Sequence, residues 1–445
     1  MEEPKKSPKL KRRVSLFALT VYGVGNVLGA GIYALIGEVL GKTGNISWLA
    51  FILASITGAL TGLSYAELSA MYPKSAAEFV YTEEAFKKRV LSFILGWIII
   101  FSGILSAATV ALAFGAYLAD LINVPSIFVM ISYSILLVIA LSIINSLGIK
   151  TSTRTNIIFT LIEASGLIII IFLGLFGKRE PNYFLLPSGA SFAVIFSSVA
   201  LIFFAYIGFE DIANIAEEVK EPQKNIPKAI IYSIIITTIL YCLTAISVVK
   251  ILPHGDIADS DAPLNEVAAK ILGPGGGIIM SFIALFATAN TVLIMLIVTS
   301  RMMYGMARDK ALPEKLCEIS PKFRTPTTSV LLTMCFTLIP ILFGDISVVA
   351  HATVFGVLIN FILVNISLIA LRKTKPDIER PFELKPSYKG IPILALLGSI
   401  ICIALLFTFD FLVVIIQLII ILCGIVVFYA MKSKIETKSI RKIVN

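Results

Sequence analysis

The amino-acid sequence predicts an all-α polytopic membrane protein with twelve transmembrane helices, two of them broken. The 445 residues are 58% hydrophobic and only 15% charged, and their mean hydropathy is +0.94. The apolar residues fall in long runs, and most of these reach the roughly 20 residues that a helix needs to cross a bilayer. Two of the runs carry glycine at positions where a lipid-facing helix gains nothing from it. Together these features favour a membrane transporter over a soluble enzyme.

Twelve apolar runs are candidate spans. They cover roughly residues 14–37, 47–70, 91–120, 127–146, 156–177, 191–216, 228–252, 277–304, 327–344, 347–371, 391–409 and 411–431. The division between the last two is the weakest, because only Phe409 and Asp410 separate their apolar residues. The segments between spans are too short for a second domain. We therefore expect one transmembrane domain over residues 1–445.

The basic residues predict how the chain is oriented. Twelve spans put both termini on the same side of the membrane, and Lys and Arg concentrate on the cytoplasmic side. Of the 37 Lys and Arg residues, 32 lie in the two termini or near the loops that share their side of the membrane. The other five, Lys42, Lys178, Arg179, Lys250 and Lys270, lie near the loops on the opposite side. This asymmetry predicts cytoplasmic termini. It also explains the net charge of +9 through contact with anionic lipid, without a nucleic-acid partner.

The first span contains the first predicted break, Val27–Ile36, with Gly29 and Gly31 on either side of Ala30. The sixth contains the second, Ile202–Asp211, with Gly208 two residues before Glu210. Unwound backbone at membrane depth is tolerated only inside protein or beside a water-filled cavity. Interrupted spans in corresponding positions of two halves indicate a transporter's binding site. The alternative is that these glycines only allow close helix packing.

The positions of the two breaks predict an internal repeat. If spans one and six begin equivalent units, repeat one covers about 14–177 and repeat two about 191–371. Each unit has five spans, an odd number, so the second would be inverted relative to the first. The helices at about 391–431 would then be additional.

Ionisable residues inside spans are costly and usually functional. Glu163 lies in the middle of span five, and Glu210 and Asp211 follow the second break. We expect Glu163 to bind a proton or cation during transport; the alternative is a purely structural carboxyl. Glu210 is expected to have a gating or packing role and could cap the helix that resumes after the break. Glu67 and Asp410 lie near predicted interfaces and are expected to need no buried role.

Two adjacent breaks can recognise an amino acid through its common atoms. Free N–H groups at one helix end attract a carboxylate, and free C=O groups at the other attract an ammonium. The side chain of the substrate would then project into a pocket that sets selectivity. We expect that pocket to involve spans three, six, eight and ten, near Ser102, Ser106, Asn290 and Met295.

Several segments together resemble the amino acid–polyamine–organocation (APC) superfamily, most closely its cationic-amino-acid-transporter-like branch. The resemblance covers nearly the whole chain. It rests on Gly29-Ala30-Gly31-Ile32, Tyr65-Ala66-Glu67-Leu68 with Pro73, Phe203–Glu210, Glu217-Glu218-Val219 with Pro222, Asn225–Ile230, Ser300-Arg301, Tyr304, Met306–Asp309 and Leu312-Pro313. The Gly-x-Gly break alone is a weak signal, whereas the ordered set is specific.

The resemblance implies a LeuT-like 5+5 inverted-repeat fold and secondary active transport of amino acids. It implies that the substrate carboxylate binds near Gly29, Ala30 and Gly31. The amino group is expected near the backbone carbonyls of Val27, Phe204, Ala205 and Ile207. Phe204 matches the position of an aromatic gate over the substrate.

The chain departs from its relatives at two positions. Proton-coupled relatives often carry a lysine in span five where this chain has Glu163, which leaves the coupling ion open between a proton and Na⁺. A cation site there would combine Glu163 with carbonyls of span one and Thr288 or Thr291. Ala30 stands where some relatives have a hydroxyl residue, so one donor to the substrate carboxylate is missing.

We therefore expect an amino-acid transporter of the cytoplasmic membrane, coupled to protons, for cationic or neutral amino acids. An amino-acid or polyamine exchanger and a membrane amino-acid sensor are the alternatives. We expect no enzymatic activity, cofactor or metal, because the sequence has no nucleophile–base set, cofactor loop or metal-ligand spacing. The five cysteines predict no disulfide framework, and we expect no signal peptide. Residues 71–90 suggest an interfacial helix. The sequence does not specify the oligomeric state.

Overall fold

The computed structural model describes residues 10–124, 126–185, 198–199, 202–203, 205–258, 260, 262–343 and 347–444, with the backbone alone at 30, 34, 347–350 and 432–444. This part of the chain is mostly helical. A short antiparallel hairpin pairs Ser387–Tyr388 with Ile391–Pro392. Its two turn residues, Lys389 and Gly390, both have positive φ, as a type I′ hairpin turn requires.

The helices are labelled in chain order. They are α1 (Leu16–Thr43), α2 (Ser47–Met71), α3 (Ala77–Phe86), α4 (Arg89–Leu121), α5 (Ile127–Ser146), α6 (Ile149–Gly174), α7 (Asp211–Asn214), α8 (Pro222–Ile251), α9 (Pro263–Leu272), α10 (Pro274–Arg308), α11 (Thr327–Ile341), α12 (Ser347–Thr374), α13 (Ile393–Leu406) and α14 (Phe411–Val444).

Nine helical stretches in the described part of the chain are long and apolar enough to cross a membrane. One of them, Leu35–Met71, joins the end of α1 to α2. The shorter apolar helices α11 and α13 lie where the ninth and eleventh spans are predicted. Part of the predicted sixth span, residues 191–197, 200, 201 and 204, falls outside the described residues. The protein is therefore mostly helical and multi-pass, while the count of twelve spans stays a prediction.

Both predicted breaks coincide with non-helical backbone. Inside α1, Gly29 has φ 40° and ψ −165°, which interrupts the helix. Residues 205–210 form turns before the short helix α7, and Gly208 has φ 128°. Residues with a side chain rarely adopt positive φ, because Cβ then crowds the following carbonyl. Glycine at these two positions is therefore what allows the chain to turn there.

The two broken segments touch each other near the centre of the fold. A Cβ added to Gly31 would lie 3.3 Å from Cα of Ala205, so a side chain there would crowd the second segment. Helix α1 packs against α6, α8 and α10. Both α1 and α10 are mostly buried, whereas α5 and α14 present most of their surface outward. The breaks therefore lie inside the protein and away from lipid.

The expectation for Glu67 is wrong, because its side chain is fully buried and paired. Nη2 of Arg372 lies 2.6 Å from one carboxylate oxygen, Nε of Arg380 lies 3.2 Å from the other, and the N–H of Leu384 donates to the group at 2.7 Å. A carboxylate buried at this depth is stable only when it is paired in this way. The partners lie in and after α12, about 300 positions along the chain, where a local pattern does not indicate them.

The segment 71–90 contains a helix, as expected, but α3 packs into the protein and its residues Ala77–Thr82 are buried. Glu78 is fully buried there. The hydroxyl of Tyr65 donates to its carboxylate at 3.0 Å, and Nδ2 of Asn214 donates at 3.2 Å. Desolvation raises the pKa of Glu78, and these two donors offset part of the rise. This helix thereby connects the end of α2 with the segment that follows the second break.

Candidate functional site

A cavity of about 140 Å³ lies between the two breaks. Its lining residues come from both broken segments, from α4, from α10 and from α12. They are Asn26, Val27, Gly29, Gly31, Ile99, Ser102, Gly103, Ser106, Val110, Ala205, Ile207, Gly208, Glu210, Asp211, Thr291, Met295, Val298, Thr353, Val354 and Val357. Backbone polar groups, a few hydroxyls and carboxyls therefore face a largely apolar wall, which is the usual composition of a small-molecule site.

The structure brings most of the predicted substrate-binding residues to this cavity. Val27, Gly29 and Gly31 line it from the first break, and Ala205 and Ile207 line it from the second. For Ala30 the structure describes the backbone alone, between the two glycines. The predicted gate Phe204 lies outside the described residues.

The hydroxyl of Tyr241, in α8, connects the two breaks. It lies 2.7 Å from the carbonyl oxygen of Val27, 3.1 Å from that of Leu28 and 3.1 Å from that of Ala205. One hydroxyl has one proton, so it donates to one of these carbonyls at a time. The side chain is fully buried. Tyr241 therefore satisfies carbonyl groups that the breaks expose, and the sequence analysis did not identify it.

A second polar contact between the breaks involves Asn26. Its Nδ2 donates to the carbonyl of Gly208 at 2.6 Å and to Oδ2 of Asp211 at 2.7 Å. The carboxyl of Glu210 accepts from the N–H of Gly208 at 2.8 Å. Glu210 therefore bonds back into the break and makes no side-chain cap to α7, so the capping expectation is wrong. Both carboxyls line the cavity and restrain the turn around Gly208.

Glu163 is fully buried in α6 and contacts α10. Nδ2 of Asn290 lies 3.2 Å from its Oε2, 3.0 Å from the hydroxyl of Thr160 and 3.5 Å from the carbonyl of Gly25. Asn156 donates to Oδ1 of Asn290 at 2.8 Å. Within the described residues, Oε1 of Glu163 has no hydrogen-bond partner and neither oxygen faces a cation. The cluster thus joins spans one, five and eight around a carboxyl without a charged partner.

The two threonines predicted to accompany Glu163 differ in position. Thr291 lines the cavity, and its hydroxyl donates to the carbonyl of Ala287 at 3.1 Å. The hydroxyl of Thr288 donates to the carbonyl of Ala284, also within α10, at 2.9 Å. Neither threonine bonds to Glu163 in the described structure. Asn290, which we expected in the side-chain pocket, is the α10 residue that does.

The opposite wall of the cavity is apolar. Ile99 and Val110 come from α4, Met295 and Val298 from α10, and Val357 from α12. The predicted pocket residues Ser102, Ser106 and Met295 are among the lining residues. A substrate held at the breaks would thus direct its side chain towards aliphatic groups and a few hydroxyls.

Beyond the second break, a buried ion pair connects the chain to α10. Nε and Nη2 of Arg301 lie 3.1 and 3.2 Å from the carboxylate of Glu218, and both side chains are fully buried. Nη1 of Arg301 also donates to Oδ1 of Asn145 in α5 at 2.7 Å. The N–H of Val14, just before α1, donates to the backbone carbonyl of Glu218 at 3.0 Å. This network fixes the segment between α7 and α8 against the rest of the protein.

Among the described residues, no group of three or more His, Cys, Asp and Glu side chains is placed to hold a metal ion. The sequence analysis did not identify Asn156 and Thr160, although their spacing from Glu163 indicates a shared helix face. Asn156, Thr160 and Glu163 are spaced by four and three positions, so they share one face of α6. A polar stripe on an otherwise apolar span points to a buried partner. Tyr241 left no such signal, because tyrosine is common in membrane helices.

The sequence of this chain is similar to those of known membrane transporters. A family model described as "Amino acid permease" matches residues 14–429. The chain is 27% identical over 446 residues to the branched-chain amino acid permease BcaP of Bacillus subtilis (strain 168), covering 96% of this chain and 94% of the relative. It is 29% identical over 416 residues to the methylthioribose transporter of the same organism, covering 89% and 88%. It is 26% identical over 389 residues to the vacuolar cationic amino acid transporter 4 of Arabidopsis thaliana, covering 83% and 64%.

Proposed function

Because this chain belongs to the amino acid permease family of the APC superfamily, we propose that it is a secondary active amino-acid transporter working by alternating access. The observation that carries the proposal is the cavity between two helix breaks, one at Gly29 and one at Gly208. Exposed backbone groups at such breaks match the carboxylate and ammonium of an α-amino acid. The relatives named as permeases and transporters support the same function.

The coupling ion we propose is a proton, carried by Glu163. Its carboxyl is fully buried, and in the described structure it receives one amide hydrogen bond and no cationic partner. An ionised carboxylate in such surroundings is costly unless it is paired. Taking up a proton removes that cost, and losing it on one side of the membrane would couple the proton to the conformational cycle. A Na⁺ ion bound by the same oxygens is the alternative for this site.

The substrate class we propose is a neutral amino acid with an aliphatic side chain. The wall opposite the breaks is formed mainly by Ile99, Val110, Met295, Val298 and Val357, and burying a charged side chain against it would be unfavourable. A cationic amino acid is the second candidate, because the carboxyls of Glu210 and Asp211 also line the cavity. Both carboxyls already accept a hydrogen bond from the protein, which weakens that alternative.

The experiment that tests function and coupling is uptake into sodium-free proteoliposomes, with and without an inward proton gradient. The panel contains labelled alanine, valine, leucine, lysine, arginine and methylthioribose. We expect leucine and valine to accumulate, the rate to rise as the outer pH falls, and a protonophore to abolish accumulation. Exchange between preloaded vesicles without net accumulation would replace the symport proposal with an exchanger. Binding without any movement would indicate a sensor.

The role of Glu163 is tested by Glu163→Gln, with Glu180→Gln as a control at an exposed loop carboxyl. We expect Glu163→Gln to lose gradient-driven accumulation and its pH dependence, because a glutamine side chain cannot take up and release a proton. Binding of the substrate should persist, since the residue does not line the cavity. Normal accumulation with an unchanged pH profile in Glu163→Gln would overturn the assignment. Accumulation that needs Na⁺ in the wild type would favour the alternative ion.

We also propose twelve spans in the 5+5 inverted arrangement with cytoplasmic termini in the cell membrane. Support comes from the contact between the two breaks and from the asymmetry of the basic residues. The test is labelling of single cysteines in a background lacking the five native ones. Lys322→Cys should react only from the inside and Asn182→Cys only from the outside. The reverse pattern would invert the proposed orientation.

A further inference from the structure

A second, larger cavity lies where α4 begins and where α10 and the apolar part of α14 end. It shares no lining residue with the cavity between the breaks. Its volume is about 780 Å³, within the ~300–1,000 Å³ that is usual for small-molecule sites. Residues 88–91 and Ile94 line it from α4, residues 310–311 from the turn after α10, and Phe428, Tyr429 and Met431 from α14. The described residues that line it include three cations and no acidic side chain.

The cationic edge of this cavity is fixed in place. The guanidinium of Arg89 donates to the backbone carbonyl of Asp309 and lies 5.0 Å from the centre of the Phe79 ring. This contact holds the start of α4 against the turn that carries Lys310. Lys88 and Lys310 are both exposed, and within the described part of the chain neither has a carboxylate partner. Two unneutralised ammonium groups therefore stand beside one anchored guanidinium.

The nearby acidic residues are already engaged. Glu84 forms ion pairs with Lys87 at 3.0 Å and with Lys375 at 2.7 Å. Glu83 accepts from the hydroxyl of Ser92 at 2.8 Å. Asp309 pairs with Arg308 at 3.0 Å. Among the described residues, none of these three carboxylates forms an ion pair with Lys88 or Lys310.

The opposite wall is apolar and faces outward. Leu91 and Ile94 are half-buried, and Tyr429 is 56% exposed. Phe428 packs against Phe93 in a tilted arrangement with ring centres 5.3 Å apart, which fixes the aromatic side. In the orientation proposed above, this wall would lie near the membrane surface, where aromatic residues collect. After Met431 the sequence continues with Lys432, Lys434, Lys438, Arg441 and Lys442 against the single acid Glu436, so the adjoining segment is basic as well.

We propose that this cavity, bounded by Lys88, Arg89, Lys310 and the Phe428–Tyr429 wall, binds an anionic phospholipid. Its phosphate contacts the three cations, and its upper acyl chain lies along the apolar wall. Basic pockets between transmembrane helices recognise such headgroups by charge. The apolar wall and the outward exposure favour a lipid over a free phosphate ion, which would use only the cations. With the orientation proposed above, this lipid belongs to the cytoplasmic leaflet; the binding chemistry does not depend on that orientation.

The experiment measures lipid retention by native mass spectrometry on the full-length protein in a neutral detergent. Phosphatidylglycerol and phosphatidylcholine with identical acyl chains are titrated separately, and inorganic phosphate is added as a competitor. We expect phosphatidylglycerol to be retained in preference to phosphatidylcholine, and millimolar phosphate to displace little of it. Equal retention of the two lipids would overturn the proposal. Full displacement by phosphate would also overturn it, since the site would then recognise a soluble anion.

The matched variants are Lys88→Gln/Lys310→Gln at the cavity and Lys220→Gln/Lys322→Gln at two other exposed lysines. Both lower the net charge by the same amount. At about 1 kcal/mol per basic residue near an anionic headgroup, the cavity variant should bind phosphatidylglycerol roughly 10- to 30-fold more weakly. The control should bind it as the wild type does. Equal weakening in both would show a non-specific charge effect and refute the site.

A charge-conserving variant guards against misfolding. Lys88→Arg/Lys310→Arg keeps both cations and should retain the preference for phosphatidylglycerol. Thermal unfolding in phosphatidylcholine should be the same for all variants. Because transport is not measured, failure of this proposal leaves the transport proposal intact. Loss of the lipid preference in the arginine variant, with unfolding unchanged, would contradict recognition by charge.

Discussion

Replacing Tyr241 with phenylalanine is expected to weaken substrate binding, because it removes the hydroxyl shared by the two breaks. That hydroxyl lies 2.7 Å from the carbonyl of Val27 and 3.1 Å from that of Ala205. Phenylalanine keeps the ring, which packs on Phe51 at 5.5 Å and on Tyr206 at 5.3 Å between ring centres. The substitution therefore isolates the hydrogen bond from the aromatic packing.

The magnitude follows from what the hydroxyl leaves behind. A buried carbonyl that loses its partner costs about 1–3 kcal/mol. If the two segments must be held together to bind substrate, that cost appears as an affinity loss of roughly 5- to 150-fold. The losses in binding free energy and in the free energy of unfolding should together stay near this range, because the unpaired carbonyl costs free energy only once.

The assay is equilibrium binding of the preferred amino acid to purified protein, together with thermal unfolding. Tyr22→Phe is the matched control. Tyr22 is a buried tyrosine of α1, and its hydroxyl has no hydrogen-bond partner within the described residues. We expect that control to bind and unfold as the wild type does. If Tyr241→Phe bound substrate with wild-type affinity, the hydroxyl would not hold the two breaks in their binding geometry.

Three further substitutions test other parts of the structure. Glu218→Gln should lower the free energy of unfolding by about 3–5 kcal/mol, because it leaves the buried guanidinium of Arg301 without its charge partner. The control, Glu38→Gln at an exposed ion pair, should change that free energy by less than about 1 kcal/mol in the same thermal-unfolding assay. Gly29→Ala should lower the free energy of unfolding by about 1–2 kcal/mol, because alanine is strained at this positive φ. It should also reduce substrate binding, since the new Cβ would lie 3.1 Å from the hydroxyl of Thr291 at the cavity wall. The control, Gly255→Ala, whose Cβ meets open space in the described structure, should bind substrate normally. Burial raises the pKa of Glu78, so the folded protein keeps this proton at pH values where the unfolded chain has lost it. Stability should therefore fall as the pH rises from the ordinary pKa of the carboxyl through its folded-state value, and Glu78→Gln should flatten that part of the melting-temperature profile.

The sequence predicts the helices of this protein well where the signal is local. Apolar runs locate α2, α4 and α5 within a few residues, because lipid and helical hydrogen bonding impose the same pattern on any spanning helix. The break at Gly29 is also local, since the positive φ that glycine permits is a property of one residue. The first half of the predicted sixth span cannot be compared in this way, because residues 191–197, 200, 201 and 204 lie outside the described residues.

Polar contacts between distant segments are harder to predict from one sequence. Glu67 looks like an interfacial residue until α12 supplies Arg372, and a pairwise contact across about 300 positions leaves no periodic trace. Glu163 was identified because an acid in an apolar span is costly wherever it lies. Its partner Asn290 was assigned instead to the side-chain pocket, since the rotation of α10 about its axis is set by tertiary packing.

Backbone atoms at the breaks and side chains of the cavity wall are expected to contribute differently to substrate selectivity. In the proposed site the substrate binds to backbone atoms of the two breaks, and Tyr241 satisfies their carbonyls with a hydroxyl that contacts no predicted selectivity residue. Recognition by backbone alone would bind the common atoms of every α-amino acid about equally. Discrimination then falls to wall residues such as Val110, Met295 and Val357, where one methylene is worth about 1–3 kcal/mol. The names of two relatives specify different substrates, branched-chain and cationic amino acids. Changing Met295 should therefore alter which substrate is preferred, while changing Gly29 should weaken the binding of every substrate.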